Sequence, residues 1–461
     1  MFKSQTYLER RTKLKKEVGS GVLLFVGNSE SPMNYTDNTY RFRQDSSFLY
    51  FFGLDHPGLV GVIDVDNDRE MIFGDDYTVE DVVWMGVQPT IADRATATGI
   101  SNTYPLHELD AYLSKASASN RGIHFLPPYR HDNTISLHHW LNIPIAEVKS
   151  KASLALTKAV INQRNYKSEE EIAEIEKAVN ITVDMHLTGM RMARPGMKES
   201  EIAAAVHQVA QAAGGDISFP IIATIHGETL HNHYHGNTLK SGDLFLLDAG
   251  AETSMHYGGD LSSTFPVDKQ FTSIQKDIYN VALAAHEAAI SMLKPGITNK
   301  EVHLKACLTI TEAMKGLGFM KGDAANAVEA GAQALFFPCG TGHMMGLDIH
   351  DMEDLGEEWV GYGGEPKSKQ FGLKSLRLGR KLEPGFVLTI EPGVYFIPDL
   401  ITMWRSENRF NEFINWDKVE QYKNFGGCRN EEDFVITDEG ARLLGKHLPK
   451  TIEDVEAQRQ M

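Results

Sequence analysis

Short apolar runs at residues 22–26, 48–52, 59–65 and 70–73 alternate with charged stretches, and together they predict an α/β unit at the start of the chain. Asp66, Asn67 and Asp68 separate two of the runs, which predicts a hairpin turn there. Around Lys167 the texture changes. Ser168 and Glu171 have capping-box spacing, and Ile172, Ile175, Val179 and Val183 follow at helical intervals, so a long amphipathic helix is expected to open a second domain. The expected boundary lies near Ser153, giving domains 1–153 and 154–461.

Within the second domain the pattern repeats. Arg194-Pro195-Gly196-Met197 followed by Glu201-Ile202 returns as Lys294-Pro295-Gly296-Ile297 followed by Glu301-Val302. Gly242 opens an apolar run that ends at Asp248-Ala249-Gly250, and Gly385 opens one of the same length that ends at Glu391-Pro392-Gly393. Matched spacing in both pairs predicts two related halves, each delivering an acid from a strand end to a central cleft. Taken singly, Pro-Gly and Asp-Ala-Gly are ordinary turns.

Composition narrows the class. A chain of 461 residues is long for one core, and 42% apolar with 23% charged residues matches a folded globular protein. No apolar stretch of membrane-spanning length occurs and residues 1–16 read as charged helix without a signal core, so a cytoplasmic protein is expected. Three cysteines without C-x-x-C spacing, Cys307, Cys339 and Cys428, argue against a disulfide framework or a cysteine-rich zinc site. A net charge of -17 disfavours nucleic acid and anionic lipid as partners.

The acids at the ends of apolar runs carry the chemistry. Asp248 and Glu391 follow runs of Leu, Phe, Val and Ile, where an ionised carboxylate needs a cation. Asp260 after Tyr257-Gly258-Gly259, Glu431 in Arg429-Asn430-Glu431, and His343 in Gly342-His343-Met344 join them. Four carboxylates and one imidazole form an oxygen-rich donor set suited to Mn²⁺, with Co²⁺ and Zn²⁺ as alternatives. For any one of these residues alone, a salt bridge or a satisfied core group is the plainer reading.

Asp248-Ala249-Gly250, Asp260, His343, Glu391-Pro392-Gly393 and Arg429-x-Glu431 occur in the order and context of the pita-bread metallopeptidases. Residues 41–48 and Trp84-Met85-Gly86 resemble the amino-terminal domain of prolidase and aminopeptidase P, and residues 372–377 with 425–427 are most similar to prolidase. The resemblance implies an amino-terminal α/β domain followed by a pita-bread α+β domain with a pseudo-two-fold repeat. It implies two divalent ions bridged by Asp260 and Glu431, with His343 and Glu391 completing one site and Asp248 chelating the other. It also implies water activation and oxyanion stabilisation by the ions, with Glu391 moving the proton. His231 and His350 match histidines that contact substrate, His233 competing with His231 for that position. Arg377 matches an arginine that faces a substrate carboxylate, and Arg429 joins it as a substrate-side candidate. Trp84 is a candidate pocket wall, reaching the site from a second subunit of a homodimer, or a buried core residue.

Two positions depart from the family pattern. Asp248 and Asp260 are twelve residues apart, one more than usual, so the hairpin between them needs a longer loop or a bulge. Cys339 stands where the family commonly has histidine, which alters the surroundings of the metal and offers an oxidisable thiol, or is simply a small residue. Segments 353–364 and 399–422 read as surface loops near the cleft. The expected reaction is hydrolysis of the bond before proline in short peptides by an Xaa-Pro dipeptidase, with aminopeptidase P as the alternative. A metal-free binding protein on the same fold is the reading from another class.

Overall fold

A computed structural model describes all residues, Met1–Met461. The chain divides into two compact units, one of residues 1–164 with 352–356 and one of residues 165–351 with 357–461. The helix Leu154–Arg164, which a boundary near Ser153 hands to the second unit, groups with the first, where it packs against the helix Ser4–Val18.

The first unit is built on a five-stranded sheet of β1 (Val22–Val26), β2 (Val60–Asp64), β3 (Arg69–Phe73), β4 (Asn102–Tyr104) and β5 (Ile123–Phe125), in the order β4-β3-β2-β1-β5. β1, β2 and β3 pair antiparallel, while β4 and β5 add parallel at the edges. Alternate residues Val22, Leu24, Val60, Val62, Met71 and Phe73 form one buried cluster with Leu109, Leu113 and Leu137. The residues between them, Leu23, Phe25, Ile63 and Ile72, are buried as well, so the central strands are covered on both faces, and a slip by one residue would exchange the two sets of side chains between those faces. The turn at residues 66–68 lies between β2 and β3, with Asp68 at φ 49°. The apolar run 48–52 is not a strand. Asp45 caps Phe48 N–H, Gly53 closes the C-terminus in the left-handed region, and Ser46–Phe52 is a wholly buried helix. Runs this short carry no periodicity that separates the two states, so the caps decide.

The second unit opens with the helix Glu169–Met192, capped reciprocally by Ser168 and Glu171. Its remaining strands are β6 (Asp216–Ile217), β7 (Ile222–Thr224), β8 (Leu244–Ala249), β9 (Ala251–Glu252), β10 (Leu261–Pro266), β11 (Val387–Ile390), β12 (Gly393–Phe396), β13 (Gly426–Arg429), β14 (Glu432–Ile436) and β15 (Ala441–Leu443). The repeat seen in the sequence is a repeat in space. Gly196 N–H donates to Leu239 C=O and Gly296 N–H to Leu382 C=O, both at 2.9 Å. Glu199 N–H likewise donates to Asn237 and Asn299 N–H to Arg380, and Gly196 and Gly296 have φ of 92° and 87°. In both copies a Pro-Gly turn, a helix and a bridge to the segment before the acid-bearing strand recur in one arrangement. Residues 398–421 are not bare loop: the helices Pro398–Ser406 and Trp416–Gln421 bury Ile401, Trp404 and Val419.

Candidate active site

Two β-ladders bring the acids together. β8 and β10 pair with Ala249 opposite Leu261 and Asp248 opposite Ser262, and the ladder runs on to the Glu252–Gly258 bridge. In that register Asp248 and Asp260 are diagonal neighbours on one face. The extra residue between them is taken up in the hairpin loop: Thr253 N–H bonds Tyr257 C=O, His256 N–H bonds Thr253 C=O, and His256 sits at φ 65°. This is a three-residue loop closed by a left-handed residue, so no bulge disturbs the strand pairing and both acids keep one facing. In the other half Ile390 pairs with Glu432 and Gly393 with Arg429, which sets Glu391 across from Glu431.

His343 comes from a segment laid along β11. Thr389 N–H donates to its carbonyl at 3.0 Å, and a side chain at Gly342 would put Cβ 1.9 Å from Thr389 O, so only glycine allows the approach. His343 Nδ1 lies 3.1 Å from Met344 O, which points Nε2 toward Asp260 at 3.4 Å and Glu391 at 3.6 Å. Asp260, His343 and Glu431 each place one donor atom within 4.8 Å of the others, a grouping able to hold a metal ion. Asp248 and Glu391 line the same cavity, of about 300 Å³, as do His231, His350, Arg377, Arg429 and Cys339.

The electrostatics match a cation site. Burial, then Asp248, pushes the Asp260 carboxyl well above its usual range, and burial, then Asp260, does the same to Glu431. Glu391 is raised chiefly by burial. Burial lowers the His343 imidazole, which keeps it neutral and its lone pair available. Arg429, only 3% exposed, is tied to protein groups on every side: Nη2 to Asp248, Nη1 to Tyr395 Oη at 2.8 Å and Nε to Ser262 Oγ at 2.9 Å. Ser262 Oγ also donates to Glu431 at 2.7 Å, and Asp433 accepts from Asp260 N–H at 3.0 Å. One buried guanidinium facing four carboxylates leaves an excess of negative charge that oxygen-preferring divalent ions offset.

The proposed metal-donor residues therefore converge, and His231, His350, Arg377 and Arg429 join them in one cavity. Trp84, in the first unit, is 82% exposed on the helix Val79–Met85, which rules out a buried core role. His233 lines the cavity beside His231, so position alone does not separate them. Ser262, Tyr395 and Asp433 join the site without a motif of their own in the sequence. Their only sequence signal was place, since each lies within four residues of an acid on the same ladder.

The chain matches the profile of metallopeptidase family M24 over residues 173–438 and that of the aminopeptidase P N-terminal domain over residues 7–124. It belongs to metallopeptidase family M24. The family match contains all five proposed metal-donor residues together with His231, His350, Arg377 and Arg429. The Xaa-Pro dipeptidase of Rattus norvegicus is 30% identical over 451 residues, spanning 96% of this chain and 89% of that protein. The Xaa-Pro aminopeptidase of Escherichia coli K12 is 28% identical over 473 residues, spanning 98% and 97%. Escherichia coli aminopeptidase P, solved in complex with substrate, superimposes with a TM-score of 0.83 at 27% identity, covering 100% of this chain and 98% of that one. The two-part M24 architecture, an amino-terminal domain followed by a pita-bread domain, and metal-dependent peptidase chemistry are thus shared with these relatives. No helix is long and apolar enough to cross a membrane.

Proposed function

We propose that this chain is an Xaa-Pro dipeptidase that works with two divalent ions, Mn²⁺ being best suited to the donors and Co²⁺ or Zn²⁺ able to replace it. The observation that carries the reading is the union of the Asp260, His343 and Glu431 group with Asp248, Glu391 and Arg377 around one cavity. Asp260 and Glu431 would bridge the ions, His343 and Glu391 would complete one site, and Asp248 the other. Bound there, the ions supply Lewis acidity, activating water near neutral pH and polarising the scissile carbonyl.

The chain's own residues supply the rest. Glu391, raised by burial, is suited to accept a proton from water and return it to the leaving imide nitrogen. His350, lowered by burial to about 2, stays neutral and offers an N–H to developing negative charge, with His231, in the same cavity, in the same role. Phe219, Pro220, Ile222, Leu230 and Ile349 give the cavity an apolar wall for the substrate's side chains. Proline needs no acceptor for an amide N–H at the scissile bond, because it has none. Arg377 lines the same cavity, and its fork would take the terminal carboxylate of a dipeptide. Arg429 holds Asp248, and substrate contact by it would require giving up one of its protein bonds.

The second reading, aminopeptidase P, is favoured by the structural relatives of that name. Hydrolysis of Ala-Pro against Ala-Pro-Ala by the Mn²⁺-loaded chain separates them. Cleavage confined to the dipeptide supports the first reading, and efficient cleavage of the tripeptide replaces it with the second. The sequence resemblance also carries a homodimer in a cytoplasmic setting. Val79, Val83, Trp84 and Val87, 76–86% exposed, support the dimer by forming an apolar strip that a second copy would cover.

A further inference from the structure

Residues 357–367, an acidic and glycine-containing stretch with no part in the chemistry above, are bound closely to the segment that carries Arg377. Tyr362 Oη donates to Leu376 C=O at 2.8 Å, and Gly361 C=O accepts from both Gly379 and Arg380 N–H at 2.9 Å. The approach is close enough that a Cβ on Gly361 would lie 1.9 Å from Arg377 O, so this position tolerates only glycine. The stretch thus fixes the backbone on either side of Arg377.

It reaches the side chain as well. Glu357 Oε1 is 3.8 Å from Arg377 Nε, and its other oxygen, Oε2, is held by Lys367 Nζ. All three side chains are between 26% and 32% exposed, so the group is neither freely solvated nor deeply buried. Lys367 restrains Glu357, and Glu357 meets Arg377 along the Nε edge of the guanidinium. A carboxylate ligand binds such a fork through two parallel N–H bonds and therefore requires its plane to be set in advance. A guanidinium on a long flexible stem loses less freedom on binding when a neighbouring anion already orients it.

We propose that Glu357 is a positioning residue: it sets the guanidinium of Arg377 for the terminal carboxylate of a dipeptide substrate, and the stretch 357–367 is the device that makes the site selective for a free carboxylate. This rests on the reading of Arg377 as the carboxylate-binding residue. Lys367 is part of the device because it occupies the second oxygen of Glu357 and prevents that side chain from turning away.

The test compares Ala-Pro with Ala-Pro-amide on the full-length Mn²⁺-loaded chain, for wild type, Glu357→Gln, Arg377→Gln and the double variant. Arg377→Gln is expected to abolish the preference for the free carboxylate. Glu357→Gln should raise KM for Ala-Pro about two- to fivefold, the scale of a partly exposed ion pair, with kcat unchanged and KM for the amide unchanged. The double variant should be no worse than Arg377→Gln, since both act through one contact. A rise in KM for both substrates alike, a fall in kcat alone, or additive losses in the double variant would overturn the positioning role while leaving Arg377 in place. If Arg377→Gln keeps the preference, or Ala-Pro is not cleaved at all, the carboxylate reading fails and takes this inference with it.

Discussion

At the scale of single residues, the site depends on carboxylates whose burial is tolerable only with compensating charge. Asp260 and Glu431 are each under 5% exposed and face Asp248 and Glu391, with Arg429 as the buried cation among them. Asp260→Ala or Glu431→Ala should therefore eliminate turnover of Ala-Pro while leaving the far-ultraviolet circular dichroism unchanged; full activity in either variant would remove it from the metal site. Ser262 acts one step further out, donating to Glu431 and accepting from Arg429. Ser262→Ala should weaken metal affinity or activity by about 10- to 100-fold, as losing a hydrogen-bond partner of a ligand does, measured by ion titration. The ligand candidates were legible in the sequence because each sits in a short motif, beside or one residue from glycine or proline for Asp248, Asp260, His343 and Glu391 and two residues after Arg429 for Glu431. Ser262 and Tyr395 were not, because a hydroxyl on a strand reads the same whether it supports a ligand or merely fills a ladder. Trp84 was legible only as part of a family-like motif: its exposure excludes the buried-core alternative, and its role toward a second subunit stays a proposal.

At the scale of elements, register does the positioning. Even spacing along the β8–β10 ladder puts Asp248 and Asp260 on one face, and placing the extra residue in the loop at Ser254–His256 preserves it. In the sequence a longer loop and a bulge look alike, since the residue count is the same for both and only the pairing tells them apart. The internal repeat was legible because backbone turns impose it: Gly196 and Gly296 must both take positive φ, and that requirement survives where side chains have diverged. The link between residues 357–367 and Arg377 was not, since it is made across a loop without periodicity. The segment bearing His343 and His350 is anchored by a buried ion pair, Lys167 Nζ to Asp351 Oδ2 at 2.8 Å, with side chains 2% and 1% exposed. Asp351 N–H also returns to Met344 C=O at 2.9 Å. Lys167→Met would leave that carboxylate buried without its cation and should cost about 3–5 kcal/mol of stability. A urea midpoint unchanged from wild type would show that the pair does not anchor the segment.

For the whole molecule, proton binding and metal binding are linked. Asp260, Glu391, Glu431 and Asp433 are raised in the folded, metal-free chain, chiefly by burial, so above the ordinary carboxylate range the folded state binds more protons than the unfolded one. Their effect is stability that falls as pH rises above the ordinary carboxylate range toward the raised values. His186 and His303, lowered to about 4, and His286, lowered to about 3, act in the other direction. Each stays neutral when folded but protonates when unfolded, so stability is lost as pH falls below about 6.5. From the ordinary carboxylate range up to about 6.5 the two effects oppose each other, and above that the histidines no longer contribute to the slope. A divalent ion must displace the protons on the carboxylates, so the rise in thermal midpoint on adding Mn²⁺ should be larger at pH 8 than at pH 6. At a hundred times Kd that rise corresponds to about 2.7 kcal/mol. An equal rise at both pH values would place the ion elsewhere. The most direct test of the account is proline release from Ala-Pro by the chelator-stripped chain before and after Mn²⁺ is restored, with Ala-Ala as the control. The account predicts silence without the ion, hydrolysis of Ala-Pro with it, and no cleavage of Ala-Ala. Undiminished hydrolysis by the stripped chain, or a metal-loaded chain idle on both Ala-Pro and Ala-Pro-Ala, would contradict it.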